Sequence, residues 1–454
     1  MTSRSAGDAG WAWEAANDLA KAVLRACDPG FMVRQALLRS GRYEPVGLGM
    51  EPLAIGKAAR RMMHGALTMK QWRRGGEFVC APDEPNELDA HQGWKHHRGD
   101  HPLPGASSVA AALALAEHIE QWQELCEEPS ARLDGFRLLL SGGASALVCM
   151  PAGDLRVEDV AEVTRALQRA GAGITDLNTV RKHIDEFKGG RLAELIAPFP
   201  VDCLILSDVP GDDPSVVGSG PVSPDPTTFA DALAVLERFG VRNAASTVTA
   251  HLEAGARGVY PETPKPGDPL FDNVRTQIIG NNDTAVDAAT AWAKANGLEV
   301  KSVQRRVQGE AREVGARLAR EAAALPAGGA IVLGGETTVK VAGGGHGGRN
   351  QELALAAAIE LNRLGAGQGV AVMTFGTDGV DGVAPEGRPP AAGAVVTGAT
   401  VREGRERGLD AAAFLDRNDS YGFFAALHRA GTVCHVVTGP TGTNVCDVEV
   451  GYRR

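Results

Sequence analysis

Ala330-Ile331-Val332-Leu333-Gly334-Gly335-Glu336-Thr337-Thr338 leads into Gly343-Gly344-Gly345-His346-Gly347-Gly348-Arg349-Asn350-Gln351-Glu352. The first four residues are an apolar run of strand length. The glycines form a loop, and residues 350–361 have helical spacing. A strand that turns through glycine into a helix is half of a βαβ unit, so the stretch predicts an α/β fold. Loop N–H groups unobstructed by Cβ atoms can close on an anion. Arg349 at the helix start adds a forked donor suited to carboxylate or phosphate; the plainer alternative is a tight turn with a solvated arginine. Gly343-x-Gly345-x-x-Gly348 formally matches the dinucleotide fingerprint. A run of glycines satisfies many patterns, however, and no acid ends the next strand at the ~20-residue offset such sites use.

The same logic recurs upstream. Leu53-Ala54-Ile55 turns through Gly56-Lys57 into a helix, Leu138-Leu139-Leu140 through Ser141-Gly142-Gly143, and Leu204-Ile205-Leu206 ends at Ser207-Asp208. With helices expected over 107–122 and 157–170, these form βαβ units on a parallel sheet, where ligands bind beyond the carboxyl ends of the strands. Residues 11–40 predict two helices broken near Asp28-Pro29-Gly30. The proline-rich stretch from Gly258 to Pro269 reads as a linker or long crossover. Strands at 276–280, 298–304, 330–333, 369–374 and 433–438 follow. We expect two α/β domains: a Rossmann-like one over 1–265 and a smaller one over 266–454.

The 454 residues carry a net charge of −10, which argues against a nucleic-acid partner. Seven cysteines without metal or disulfide spacing read as buried thiols. Met1–Gly10 has no apolar leader segment, and no run reaches the roughly 18 apolar residues of a membrane span. A cytoplasmic location is therefore expected. A homodimer is left open.

Lys57 follows a strand and a glycine, as a phosphate-facing cation would, with an exposed lysine at a helix start as the alternative. It is not a P-loop lysine, because Glu51 and Ala58 occupy the positions that need Gly and Ser or Thr. Ser141, Gly142, Gly143 and Ser145 form a small-residue loop able to cradle phosphate, or a structural turn. Arg181, Lys182 and Lys188 concentrate positive charge in an acidic chain, with Arg181, Asp185 and Lys188 on one expected helical face; a solvated salt-bridged face is the alternative. Asp208 ends a buried strand, an apt place for a Mg²⁺ ligand or general base. Asp212 can assist it or simply form a turn. Gly376-Thr377-Asp378-Gly379-Val380-Asp381-Gly382 places spaced acids among glycines after another strand. Its spacing is not that of an EF-hand.

These motifs occur in one order: Ile55-Gly56-Lys57-Ala58, His101-Pro102, Ser141-Gly142-Gly143, Asn178-Thr179-Val180-Arg181-Lys182-His183, Lys188-Gly189-Gly190-Arg191, Ser207-Asp208-Val209-Pro210-Gly211-Asp212, Gly309-Glu310-Ala311, Gly335–Glu352, Gly376–Gly382 and Thr438–Val445. Over residues 12–450 the order resembles the class II glycerate kinases, whose C-terminal part is the MOFRL domain. The resemblance implies ATP-dependent phosphorylation of the 2-hydroxyl of D-glycerate, with Mg²⁺, in a cleft between the two domains. Lys57, Asp208 and Arg349 map onto the proposed active-site residues. Gly335, Glu336, Gly347 and Asp378 join Ser141–Gly143, Ser145, Arg181, Lys182 and Lys188 as candidate substrate or nucleotide contacts, and Asp208 with Asp212 as candidate metal ligands. Two positions depart from the pattern: Gly105 replaces the usual Asp, and Asp185 the usual Ser. An NAD(P)H-dependent hydroxypyruvate reductase is the competing reading.

Overall fold

The computed structural model describes residues 10–39, 49–67, 76–80, 94–127, 133–367, 369–429 and 431–454. The N-terminal stretch Met1–Gly10 noted above lies, but for Gly10, outside them. No helix among the described residues is long and apolar enough to cross a membrane. The chain forms two compact units, one of residues 29–279 and one of residues 1–28 with 280–454.

In the first unit, β1 (Met50–Ile55), β2 (Glu77–Cys80), β3 (Lys95–Arg98), β4 (Gly135–Ser141), β5 (Val201–Leu206) and β6 (Val274–Gly280) form one sheet in the order β3-β2-β1-β4-β5-β6. β1 to β5 are parallel. Leu53, Ile55, Leu138, Leu140, Cys203 and Ile205 share a core with Leu115 and Ile119 of helix Ala106–Leu125. β4 and β5 are buried along their whole length, as befits parallel strands covered on both faces. The chain builds outward from β1 through β3, then returns to start β4 on the other side of β1. That reversal opens a crevice past the carboxyl ends of β1 and β4.

The opposite ends of these strands carry a buried charge cluster. His118 contacts Glu51 Oε1 at 2.8 Å and Glu77 Oε1 at 3.3 Å, while Lys95 and His97 also reach Glu77, both at 3.1 Å. Burial pushes the Glu51 carboxyl above its ordinary range, and His118 opposes that shift. His118→Ala is expected to cost about 3 kcal/mol in urea unfolding, the low end for a broken buried pair because Glu77 keeps two partners. A cost below about 1 kcal/mol would show that water already screens the cluster.

In the second unit, β7 (Glu299–Val307), β8 (Gly329–Gly335), β9 (Val370–Gly376), β10 (Gly393–Thr397), β11 (His435–Val436) and β12 (Asp447–Arg453) form a mixed sheet in the order β11-β10-β9-β12-β8-β7. β7 and β8 are parallel; β12 runs antiparallel between β8 and β9. Asp447 therefore sits opposite both Gly335 and Gly376, the last residues of β8 and β9. Helices Ala311–Ala324 and Arg349–Arg363 supply Leu318, Leu353 and Ala357 to the core on one face.

The two units differ from the expected division at residue 265. Helix Gly10–Ala26 belongs with the C-terminal residues: Trp292 Nε1 donates to Asp18 Oδ2 at 2.9 Å, and the Trp11 and Tyr452 rings meet edge-on at 5.3 Å. The proline-rich stretch stays in the first unit, where Asp225 N donates to Pro264 O at 2.9 Å and Thr263 is buried. The units meet in sequence at 279/280, the end of β6.

Candidate active site

Three loops at the carboxyl ends of β1, β4 and β5 converge. Gly56 has φ +130, and a Cβ there would lie 2.2 Å from Ser141 Oγ. Without one, the loop after β1 closes onto β4: Lys57 N donates to Gly142 O at 2.9 Å and Ala58 N to Ser141 Oγ at 3.0 Å. A Cβ on Gly143 would come 2.9 Å from Lys57 Cγ, and one on Gly142 only 1.8 Å from Asp208 Oδ2. The Lys57 side chain thus packs against Gly143, and the Asp208 carboxylate against Gly142. The Lys57 ammonium has no hydrogen-bond or ion-pair partner among the described residues. A cation left unneutralised beside a glycine turn is the chemistry of an anion site.

Ser145 Oγ bonds Ser219 Oγ at 2.7 Å, and Ser219 donates to Asn178 Oδ1 at 2.9 Å, which ties the loop after β4 to helix Ile174–Lys182. Asp212 is half-buried with φ +57, in the turn where its N–H donates to Val209 O at 3.1 Å.

The basic segment resolves differently from its expectation as one helical face. The helix stops at Lys182. The Lys182 ammonium pairs with buried Asp225 at 3.3 Å, and that of Lys188 bonds Asp185 and Val148 O. Both lysines are buried and already neutralised. Asp185 also accepts from Phe187 N at 2.9 Å, so its charge is taken up internally. Arg181 is largely buried; burial weakens its hold on the proton and Asp185 strengthens it.

In the other unit, Arg349 opens its helix beneath Gly335 and Asp447. Nε donates to Asp447 Oδ2 at 2.5 Å and Nη2 to Oδ1 at 3.0 Å, while Nη1 lies 2.8 Å from Glu336 Oε1. Burial disfavours the charged guanidinium, but Asp447 and Glu336 outweigh it and raise its pKa. Asp447 is fully buried, whereas Glu336 is partly exposed. One N–H on each terminal nitrogen remains for a ligand. Asp378, half-buried, and Asp447 both reach the space a Gly376 Cβ would fill, at 3.2 Å.

The glycine loop is not an open anion cradle. Its amides are used within the protein: Ala342 N and Gly343 N donate to Asn418 Oδ1, Gly345 N to Arg417 O, His346 N to Asp419 Oδ1 and Gly347 N to Val383 O. The helix N-terminus is capped by buried Asp381, which accepts from Asn350 N at 2.9 Å and Gln351 N at 2.8 Å. The loop ends at Arg349, the first residue of the helix. Among the described residues no group of three or more His, Cys, Asp or Glu side chains is arranged to hold a metal ion.

Comparison with known proteins gives two family matches: residues 15–253 to a domain of unknown function, DUF4147, and residues 329–447 to the MOFRL family. The D-glycerate 2-kinase of Thermotoga maritima is 36% identical over 88% of this chain and 89% of that protein. The chain belongs to the MOFRL-containing glycerate kinase family. A glycerate kinase crystal structure from the same organism superposes with a TM-score of 0.80 at 34% identity, covering 97% of this chain and 99% of that one. A putative hydroxypyruvate reductase of Agrobacterium vitis is 38% identical over 77% of this chain and 75% of that protein.

Within this glycerate kinase family member, the sequence did not single out Asp447 as the residue that orients Arg349. Its only signal is an acid at the head of an alternating apolar stretch, Asp447-Val448-Glu449-Val450. Glu449 was missed for the same reason. It is completely buried, and neither carboxylate oxygen has a hydrogen-bond partner among the described residues. Burial first, then Asp447, pushes its pKa up to about 8. In the unfolded chain it titrates near pH ~4. The folded value is the higher, so this group's contribution to stability is complete below pH ~4 and is lost as pH rises towards about 8. Glu449→Gln is expected to raise the melting temperature by several degrees at pH ~8 and by much less at pH ~5. Equal shifts at the two pH values would refute the titration.

Proposed function

We propose that the protein is an ATP-dependent kinase that transfers the γ-phosphoryl group to the 2-hydroxyl of D-glycerate, giving 2-phosphoglycerate. Lys57, whose stem packs against Gly143 and whose ammonium has no partner among the described residues, stands beside Asp208's contact with Gly142 at the sheet's reversal point and carries the reading. Phosphoryl transfer needs positioning and charge stabilisation more than covalent chemistry. Lys57 neutralises the phosphate oxygens, and the Gly142-Gly143 backbone lets them approach. Asp208 either accepts the hydroxyl proton or, with Asp212, holds Mg²⁺. Magnesium bound with a nucleotide needs only one or two carboxylates, so this sparse set fits it, and the ion would add positive charge at the phosphates. Arg349, fixed as a fork by Asp447, offers its two remaining N–H groups to the glycerate carboxylate. A cytoplasmic setting, where ATP is present, suits this reaction. The reductase alternative loses support in the sequence, because the amides of Gly343 and Gly345, the first two glycines of its fingerprint, already have protein acceptors.

The deciding experiment is ³¹P NMR of the products formed from ATP, Mg²⁺ and D-glycerate. A 2-phosphoglycerate resonance is expected. No phosphorylated product, together with NADH oxidation on hydroxypyruvate, would replace this reading with the reductase. Gly142→Ala tests the site geometry. Its φ lies outside the left-handed region, so alanine fits the backbone, but its Cβ displaces Asp208. We expect kcat to fall about 100-fold with little change in melting temperature. Turnover within about threefold of the parent would mean Asp208 is not held at this point.

A further inference from the structure

A cavity of about 530 Å³ lies in the unit of residues 1–28 and 280–454, and none of the residues lining it is assigned above to the phosphoryl-transfer site. Its volume is in the range of small-molecule pockets, roughly 300–1,000 Å³. Neither Arg349 nor Asp447 lines it. Trp13, Tyr421 and His435 supply ring surface. These rings are fixed: Trp13 Nε1 donates to His435 O at 3.2 Å, Tyr421 OH donates to Pro389 O at 3.0 Å, and the Tyr421 and His435 ring centres are 4.7 Å apart. Burial, then His428, lowers the His435 pKa to about 4, so its ring is neutral near pH 7. Gln351 Nε2 is committed to Asp381, so Gln351 Oε1 accepts from His435 Nε2 at 3.1 Å. The wall is thus a preformed aromatic surface whose polar atoms are largely satisfied.

The rim has the opposite character. Arg388, His428 and Arg429 line it and are exposed, and no acidic residue is in the lining. Neither guanidinium has an ion-pair partner among the described residues. In a chain of net charge −10, two unpaired arginines beside an aromatic pocket are a local reversal of sign. Trp13 is 36% exposed, an unusual waste of apolar surface unless something covers it.

We propose that this cavity is a second small-molecule site, taking a planar aromatic ring that bears one carboxylate or phosphate. The ring lies against Trp13 and Tyr421, and the arginines fork onto the anionic group. The inference does not depend on the kinase reading, since it uses none of that site's residues.

Calorimetric titration of the full-length protein with 2-naphthoate and 2-naphthyl phosphate tests it. Saturable binding with Kd below about 1 mM is expected for at least one, and the tighter names the anionic group. Neutral 2-naphthylmethanol and ring-free acetate should each bind at least about tenfold more weakly. Arg388→Ala/Arg429→Ala should weaken the aromatic anion about tenfold or more, and these exposed, unpaired residues can be replaced without threatening the fold. Lys57→Ala should leave binding unchanged. Absence of saturable binding for both anions, equal affinity in the double arginine variant, or loss of binding in Lys57→Ala would each overturn the proposal.

Discussion

Lys57→Met is expected to lower kcat for glycerate phosphorylation about 10³-fold while leaving the melting temperature within roughly 1 °C of the parent. Methionine keeps the aliphatic stem that packs against Gly143 and removes only the charge. The ammonium has no protein partner among the described residues, so its loss strands no buried carboxylate. The cost should therefore appear in turnover. About 10³-fold corresponds to roughly 4 kcal/mol of transition-state stabilisation, the size of one preorganised electrostatic contact in a dry site. Steady-state kinetics with varied ATP would locate the effect. A fall in kcat with KM for ATP nearly constant places the ammonium on the charge that develops during transfer. A rise in KM alone would reduce Lys57 to a ground-state phosphate contact. Activity within about tenfold of the parent would remove it from the site.

Arg349→Ala should damage both stability and activity, and the two losses can be separated. Asp447 is fully buried and receives two of the Arg349 N–H groups. Glu449 and Asp378 lie on the same side of the balance, each disfavouring further negative charge there. Removing the guanidinium strands a buried carboxylate, at an expected cost of about 3–5 kcal/mol, or a fall of roughly 10 °C in melting temperature. Arg349→Ala/Asp447→Asn removes the stranded charge and should recover most of that stability. It should not recover phosphorylation of glycerate, because the fork for the carboxylate is gone. Activity returning along with stability would make Arg349 a structural residue only. Arg349→Lys keeps the charge but cannot bond both Asp447 oxygens, so it should fold and still bind glycerate poorly.

Legibility in the sequence followed periodicity. β1, β4 and β5 are short apolar runs ending in Gly or Ser, and they emerge as buried parallel strands with Lys57, Gly142 and Asp208 at their ends. β10 and β12 went unrecognised. β12 places Asp447 and Glu449 on one face of its alternation, a pattern that normally marks a solvent face, yet both are buried because the strand is central. Lys182 looked like a candidate anion ligand because its partner, Asp225, becomes a neighbour only after the chain folds back; the partner of Lys188, Asp185, is local, and the fold buries that pair rather than leaving it solvated.

Two things were determined by the sequence alone. Strand–glycine–helix runs set the α/β class, because side-chain period is a local property of the chain. The ordered motifs set the family, because each is a contiguous string. Only the tertiary structure decided which charges are available. Among the described residues Lys57 has no partner, Lys182 is neutralised by Asp225, and Arg349 is locked to a residue 98 positions away. The same holds for the glycine loop, whose amides were expected to face an anion and instead meet Asn418 and Asp419, while the helix start that follows it meets Asp381. Charge neutralisation and amide satisfaction depend on distances of about 3 Å across the fold, and no local pattern encodes those.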